Sequence, residues 1–326
     1  MRLVFMGTPW SAVPTLQRCV EDGHEVAAVW TQPDRPAGRG NKLASPPVKE
    51  WATAQGLTVH QPSKIRTDEA RELFASHDAD VAVVVAYGRI LPEAFLRAPR
   101  RGCINVHFSL LPKYRGAAPV NWAMVRGERQ TGVTTMLIDE GLDTGAILLQ
   151  RATEIGDVET APELLGRLAE TGAELLSETL KRLDEIEPHA QNDAEATHAP
   201  ILRREDGRID WTMSAFEIER RVRGFQPWPT AYTAFRGQRL IIWRARAHAA
   251  ASAQWRMAVD NQTDKAVGVV DIAAGEIVVA YVDKIIVGCG EGSVLEVFEV
   301  QPEGKRRMSA RDFLNGTHAR PGERMG

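Results

Sequence analysis

At 326 residues, 44% hydrophobic and 25% charged, the chain has a globular composition and is long enough for one large domain or two ordinary ones. Its three scattered cysteines, Cys19, Cys103 and Cys289, argue against a disulfide framework or a zinc site and for a reducing, cytoplasmic setting. No apolar stretch is long enough to cross a membrane, and a strand-like run begins too near the N-terminus for a signal peptide.

The first 190 residues alternate strand and helix. Leu3–Met6 predicts a short buried strand, and Gly7-Thr8-Pro9 turns it into a helix from near Ser11, with Val13, Leu16 and Val20 on one face. Val26–Trp30 and Val81–Ala86 predict further strands. Such β-branched runs between helices indicate an α/β fold with a mostly parallel, Rossmann-like sheet covered on both faces. Neither a Gly-x-Gly-x-x-Gly after the first strand nor a Walker A loop is present, so a dinucleotide or nucleoside triphosphate cofactor has no support.

Thr31–Leu43 is a long interruption whose prolines and glycines predict irregular structure, and Arg35, Arg39, Lys42 and Lys49 make it basic. A plain surface loop has this composition, as does a functional one, and phosphate or base-edge contacts suit Arg39 and Lys42. Ala86–Pro92 is expected to turn out of the central strand. In an open α/β sheet the ligand crevice lies beyond the carboxyl ends of the strands, where this turn falls.

Gly102–His107 alternates apolar and polar residues as a strand does, so Asn105 and His107 project from one face. Ser109–Pro119 reads as a loop leading to a helix. Val133–Ile138 predicts a strand that delivers the chain to Asp139–Gly145, where two glycines permit a tight path and Asp143 can reach His107 if the strands are neighbours. An amide, an imidazole and a carboxylate together suit attack by an amine or water on a carbonyl. An Asn-x-His at a strand end is equally the pattern of a polar pair closing a turn. A metal site of His107, Asp139 and Asp143 lacks the close spacing of known His or Cys motifs, and none is expected.

Leucines at 164, 165, 168, 175, 176, 180 and 183 predict a long amphipathic helix over Ala161–Ile186. The polar stretch after Pro188 reads as a linker, giving domains at 1–190 and 208–326 with 191–207 between them. Runs at Arg239–Trp243, Val267–Ile272, Glu276–Val282, Lys284–Val287 and Val294–Val300 predict a small antiparallel, OB-like barrel. Lys305-Arg306-Arg307 forms a basic cluster before a terminal helix at Met308–Leu314; a solvated turn has the same composition. The first 200 residues carry 21 basic and 27 acidic side chains and the rest 19 and 16, so the balance changes from −6 to +3. The second value suits phosphate contacts.

Ile104–Pro112 followed by Asp143-Thr144-Gly145 resembles the active-site signature of the folate-dependent formyltransferases. The resemblance implies formyl transfer from 10-formyltetrahydrofolate to an amine, with Asn105, His107 and Asp143 as the catalytic residues. It also implies that Ser109, Leu110, Leu111 and Pro112 lie along the folate, with the backbone around Arg89, Ile90 and Leu91 and from Asp139 to Asp143 against the pterin. The 31–49 segment, Arg208–Trp211, Arg223–Ala231 and Gly304–Ala310 are similar to segments of the methionyl-tRNA formyltransferases. That likeness spans essentially the whole chain. It implies an initiator methionyl-tRNA partner touched by Arg39 and Lys42 and a C-terminal domain, carrying Lys305, Arg306 and Arg307, that binds tRNA. No obligate protein partner is implied. An amino-sugar nucleotide as acceptor, or hydrolysis of the formyl donor, are the alternatives. Trp10, Phe108 and Asn121-Trp122 depart from the family pattern, and Phe108 is expected to reshape the wall of the site.

Overall fold

The structure is a computed structural model and describes residues 1–37, 42–249 and 272–326. Its contacts divide into two units, one of residues 1–120, 130–155 and 163–200, the other of 121–129, 156–162 and 201–326.

The first unit contains strands β1 (Arg2–Gly7), β2 (Glu25–Trp30), β3 (Arg35–Ala37), β4 (Lys42–Ala44), β5 (Val59–His60), β6 (Val81–Val85), β7 (Cys103–His107), β8 (Arg115–Gly116), β9 (Gln130–Leu137), β10 (Ile147–Glu154) and β11 (His198–Ala199). Its helices are α1 (Val13–Glu21), α2 (Pro47–Ala54), α3 (Asp68–Ala75), α4 (Glu93–Arg97), the start of α5 (Pro119–Val125) and most of α6 (Ala161–Lys181). Seven strands form one sheet in the order β10-β9-β7-β6-β1-β2-β5. The five from β7 to β5 are parallel, whereas β9 and β10 join antiparallel. Every residue of β6 is buried, as a strand covered on both faces requires. Strand order reverses between β1 and β6, which opens the crevice of a doubly wound sheet at their carboxyl ends.

On α6, Leu164, Leu168, Leu175, Leu176 and Leu180 are buried. Gly172 lets this helix approach closely: a Cβ there would stand 2.9 Å from Val106 and 3.4 Å from the Phe108 ring. Phe108 therefore packs with Val106 on the helix side, opposite Asn105 and His107, and does not form the wall expected from the sequence. The helix stops at Lys181, short of Ile186; beyond it Arg182 O accepts from both Glu185 N–H at 2.8 Å and Ile186 N–H at 3.0 Å in a separate turn.

The basic interruption is partly regular, since β3 and β4 pair antiparallel with Arg35 opposite Ala44. Arg39 lies outside the described residues, and Lys42 falls within β4. Asp34 ties the two ends of this hairpin together: its carboxylate accepts from Lys49 Nζ at 2.8 Å, Ser45 Oγ at 3.3 Å and Gln61 Nε2 at 2.8 Å.

The second unit is an antiparallel sheet in the order β12 (Ala231–Phe235), β13 (Gln238–Ala249), β16 (Ser293–Pro302), β15 (Lys284–Gly288) and β14 (Ile277–Tyr281), with β17 (Met308–Ser309) beside β16. The last residues join its two ends. Gly326 N–H donates to Ala234 O at 2.9 Å and Met325 N–H to Gly275 O at 2.8 Å, while Ile277 N–H donates to Glu323 O at 2.8 Å. This closure makes the sheet a barrel. Helices α7 (Ala215–Gly224) and α8 (Ala310–Thr317) contribute Ile218, Val222, Phe313 and Leu314 to its core. Within the same unit Asn121 Nδ2 donates to Gly224 O at 2.7 Å and Trp122 meets Phe225 edge-on, so this unusual pair serves packing. The predicted strand at Val267–Ile272 lies outside the described residues except for Ile272.

Candidate active site

Strand β7 carries Asn105 and His107 two residues apart, and alternation puts both on one face. Its neighbour β9 runs the other way, with His107 opposite Thr134 and Ile104 opposite Leu137. The chain leaving β9 therefore starts beside the beginning of β7 and doubles back over the polar face. That return brings Asp143 Oδ2 to 3.7 Å from His107 Nδ1.

His107 is 6% exposed, and its Nε2 lies 2.9 Å from Tyr114 O. A carbonyl only accepts, so Nε2 carries a hydrogen, and Nδ1 is the ring nitrogen turned toward Asp143. The 3.7 Å gap is too long for a direct hydrogen bond. Asp143 Oδ2 is instead fixed by Gly116 N–H at 2.8 Å. A proton taken up at Nδ1 would thus meet a carboxylate already held in place. Tyr114 and Asp143 both have left-handed backbone, at φ 63° and 55°, a conformation that costs energy for non-glycine residues and is held by surrounding bonds. Asn105 is half-buried, and its amide has no hydrogen-bond partner among the described residues.

The loop after β7 is shaped by β9 and β10. Leu111 N–H donates to Thr134 Oγ1 at 3.1 Å, Thr134 Oγ1 donates to Ser109 O at 2.7 Å, and Gln150 Nε2 donates to Leu111 O at 2.8 Å. Ser109 and Leu111 are buried, with the Ser109 hydroxyl donating to Lys113 O, whereas Leu110 and Pro112 are partly exposed. The Leu111–Pro112 peptide is cis.

At the crevice between β1 and β6, the Tyr87 carbonyl accepts from Thr8 Oγ1 and Gln32 Nε2, both at 3.0 Å, and Gln32 Oε1 in turn holds Arg89 Nε at 3.2 Å. Burial pushes the Tyr87 phenol up to about 12 and the Cys103 thiol within β7 likewise to about 12. Leu91 is buried, but Ile90 is 67% exposed, and Leu142 on the 139–145 loop is 57% exposed. The Asp139 carboxylate accepts from Gly141 N–H at 3.0 Å and Thr144 Oγ1 at 2.7 Å, so it shapes its own loop. Among the described residues no cluster of three or more His, Cys, Asp or Glu could hold a metal ion, and no helix is long and apolar enough to cross a membrane.

Lys305, Arg306 and Arg307 are exposed on the turn after β16 in the second unit. Arg307 pairs with Glu299 and lies over the Trp243 ring at 5.1 Å; Arg244 lies 5.2 Å from the Phe298 ring centre. The strand expected at Arg239–Trp243 stops short of Arg244-Ala245-Arg246, whose alternation is the pattern from which these exposed arginines could have been read. Tyr114 and Gly116 gave no such signal, because they contribute main-chain atoms.

The residues 1–180 match the family model described as formyl transferase, and 201–318 match the formyl transferase C-terminal domain. Fold and matches together define a one-carbon group transferase. The methionyl-tRNA formyltransferase of Solibacter usitatus is 50% identical over 328 residues, spanning 100% of this chain and 99% of that one, and its counterpart in Acidobacterium capsulatum is 49% identical over 100% of both. The chain belongs to the methionyl-tRNA formyltransferase family. Among solved structures, an N-formyltransferase from Helicobacter canadensis in complex with folinic acid and dTDP-3-aminofucose has a TM-score of 0.63 at 19% identity, over 92% of this chain and 98% of that one. HypX from Aquifex aeolicus in complex with tetrahydrofolic acid has a TM-score of 0.60 at 16% identity, over 96% of this chain and 47% of the longer HypX. This chain spans about half the length of HypX, and both structural likenesses speak to the fold.

Proposed function

We propose that Asn105, His107 and Asp143 form the reacting centre at which the enzyme moves the formyl group of 10-formyltetrahydrofolate to the α-amino group of initiator methionyl-tRNA. The observation carrying this reading is the imidazole of His107, fixed at Nε2 by Tyr114 O and turned at Nδ1 toward Asp143, 3.7 Å away. The unpartnered Asn105 amide and the exposed Ile90 and Leu142 fit a flat ring system with an amide edge. The folate supplies an activated one-carbon group. Attack of the neutral amine on the formyl carbon places negative charge on the formyl oxygen, which the Asn105 amide would stabilise as a donor, joined by His107 only once Nδ1 has taken up a proton. As the bond to the folate nitrogen breaks, that nitrogen gains a proton and the new amide loses one, with His107 and Asp143 assisting the transfers.

Arg89, Ile90, Leu91, Ser109, Leu110, Leu111, Pro112 and Asp139 frame the folate side. Ser109 and Asp139 act through loop shape, since their oxygens are engaged within their own segments. Arg39 and Lys42 on the 31–49 segment, with Lys305, Arg306 and Arg307 on the barrel, provide cationic contacts for the tRNA backbone. The Arg244, Phe298, Trp243 stripe adds stacking surface on that barrel. An aminoacyl-tRNA substrate supports a cytoplasmic location for the enzyme.

The purified protein is to be incubated with 10-formyltetrahydrofolate and charged initiator tRNA, and N-formylmethionine scored. Product that disappears in His107→Ala supports the reading. Formylation of an amino-sugar nucleotide in place of the tRNA, or formate release at full rate without an acceptor, would overturn the assigned reaction.

A further inference from the structure

The polar segment at residues 191–199 makes no catalytic side chain available, yet it lies against both partners of His107. Gln191 Nε2 donates to two carbonyls of the Asp143 loop, Asp143 O at 2.9 Å and Gly145 O at 2.8 Å. Its Oε1 accepts from Arg115 Nε at 3.0 Å, and the same buried guanidinium reaches Asp193 Oδ1 at 2.8 Å. Six residues on, Thr197 Oγ1 accepts from Tyr114 N–H at 2.9 Å and Thr197 O from Arg115 N–H at 2.9 Å. β11 then pairs with β8, bringing Ala199 O so near Gly116 that a Cβ on Gly116 would stand 2.5 Å from it. Gly116 is the residue whose N–H holds Asp143.

The segment thus grips Tyr114, which fixes one nitrogen of His107, and Asp143, which faces the other. Both gripped residues have left-handed backbone, a conformation that neither would keep cheaply without outside bonds. We propose that residues 191–199 are a positioning strap in which Gln191 sets the place of Asp143 and Thr197 sets the place of Tyr114, so that together they aim the His107 ring. This inference rests on the reading of His107 and Asp143 as catalytic. Neither Gln191 nor Thr197 touches substrate.

The test uses the full-length enzyme with Gln191→Leu, which deletes donor and acceptor at similar volume, Thr197→Val, which deletes the hydroxyl, and Thr197→Ser, which restores it. Gln191→Leu and Thr197→Val are expected to lower kcat by about tenfold or more, as small misplacements of a reacting group do, while KM for folate and for tRNA stays within about twofold. Thr197→Ser is expected to recover most of kcat. Imidazole 15N spectra report the same event directly, with the Nε2–H form of His107 weakened in Thr197→Val and present again in Thr197→Ser. A kcat equal to wild type in Gln191→Leu and Thr197→Val, a change confined to KM, or no recovery in Thr197→Ser overturns the strap. If a variant is found unfolded by circular dichroism, the Thr197→Ser comparison and the spectra of Gln191→Asn decide in its place: an unchanged His107 tautomer signal in Gln191→Asn together with full kcat also overturns it. Asp143→Ala is measured in parallel. Its full turnover would remove the reading of the site itself, a result distinct from an inactive Asp143→Ala beside fully active strap variants.

Discussion

Asp143→Asn isolates the charge of the carboxylate. Asparagine tolerates the left-handed backbone found at Asp143, where φ is 55°, and its amide oxygen can still accept from Gly116 N–H. What is lost is a negative charge 3.7 Å from His107 Nδ1. Between unit charges at that separation the interaction is about 4 kcal/mol at an effective dielectric of about 20 and about 1 kcal/mol in bulk water. The side chains are 7% and 16% exposed, which favours the upper part of the range. If His107 takes up a proton on the reaction path, losing about 2 to 4 kcal/mol of stabilisation there lowers kcat by about 30-fold to about 1,000-fold. Single-turnover formation of N-formylmethionine at saturating donor and charged tRNA measures this, with a thermal melt showing that the fold is kept. A rate within about twofold of wild type, from a protein that melts normally, would refute a charged His107 beside Asp143 in the rate-limiting step.

Two further outcomes are expected. Asp34→Ala frees both ends of the basic hairpin, since Asp34 holds Lys49, Ser45 and Gln61, and is expected to raise KM for tRNA about tenfold while leaving that for folate nearly unchanged; equal shifts in both would mean that the hairpin serves another purpose. His60 and His77, tilted 32° to each other with ring centres 5.2 Å apart beside Trp30, are held below the usual histidine range first by desolvation, and His77 Nε2 accepts from the Trp30 indole. Because the unfolded chain binds protons there more readily than the folded one, stability is expected to fall as pH drops through about 6.5 and to level off below the folded values. Melting temperatures between pH 8 and pH 5 should show this, and His60→Phe should reduce the dependence; an identical profile in that variant argues against the pair as its source.

The parallel core was legible because β1, β2 and β6 are short apolar runs between helices, a pattern that only a sheet covered on both faces explains. The side chains of the site were legible by type and parity, with Asn105 and His107 two apart. Their meeting with Asp143 was not, since it depends on β9 lying antiparallel to β7, which no local pattern encodes. Phe108 shows the opposite case: the parity that puts His107 on the polar face sends its neighbour toward α6, so its place was available from alternation. The β3–β4 ladder was not legible, because prolines and glycines mask two strands of three residues each. Gln191 sits in a polar, aperiodic stretch, and its bonds are made to residues 46, 48 and 76 positions away. Such a role is tertiary and leaves no trace in spacing.

The way the barrel is shut has a practical bearing on anyone handling this enzyme. Its hoop is the final short stretch of chain, bonded on one side to Ala234 and on the other to Gly275 and Ile277. Shaving off residues 323–326 would uncover the free borders of β12 and β14 at once, and bare strand borders recruit other molecules. Loss of residues 323–326 would accordingly show first as clumping of the protein in storage, before any decline in formyl transfer.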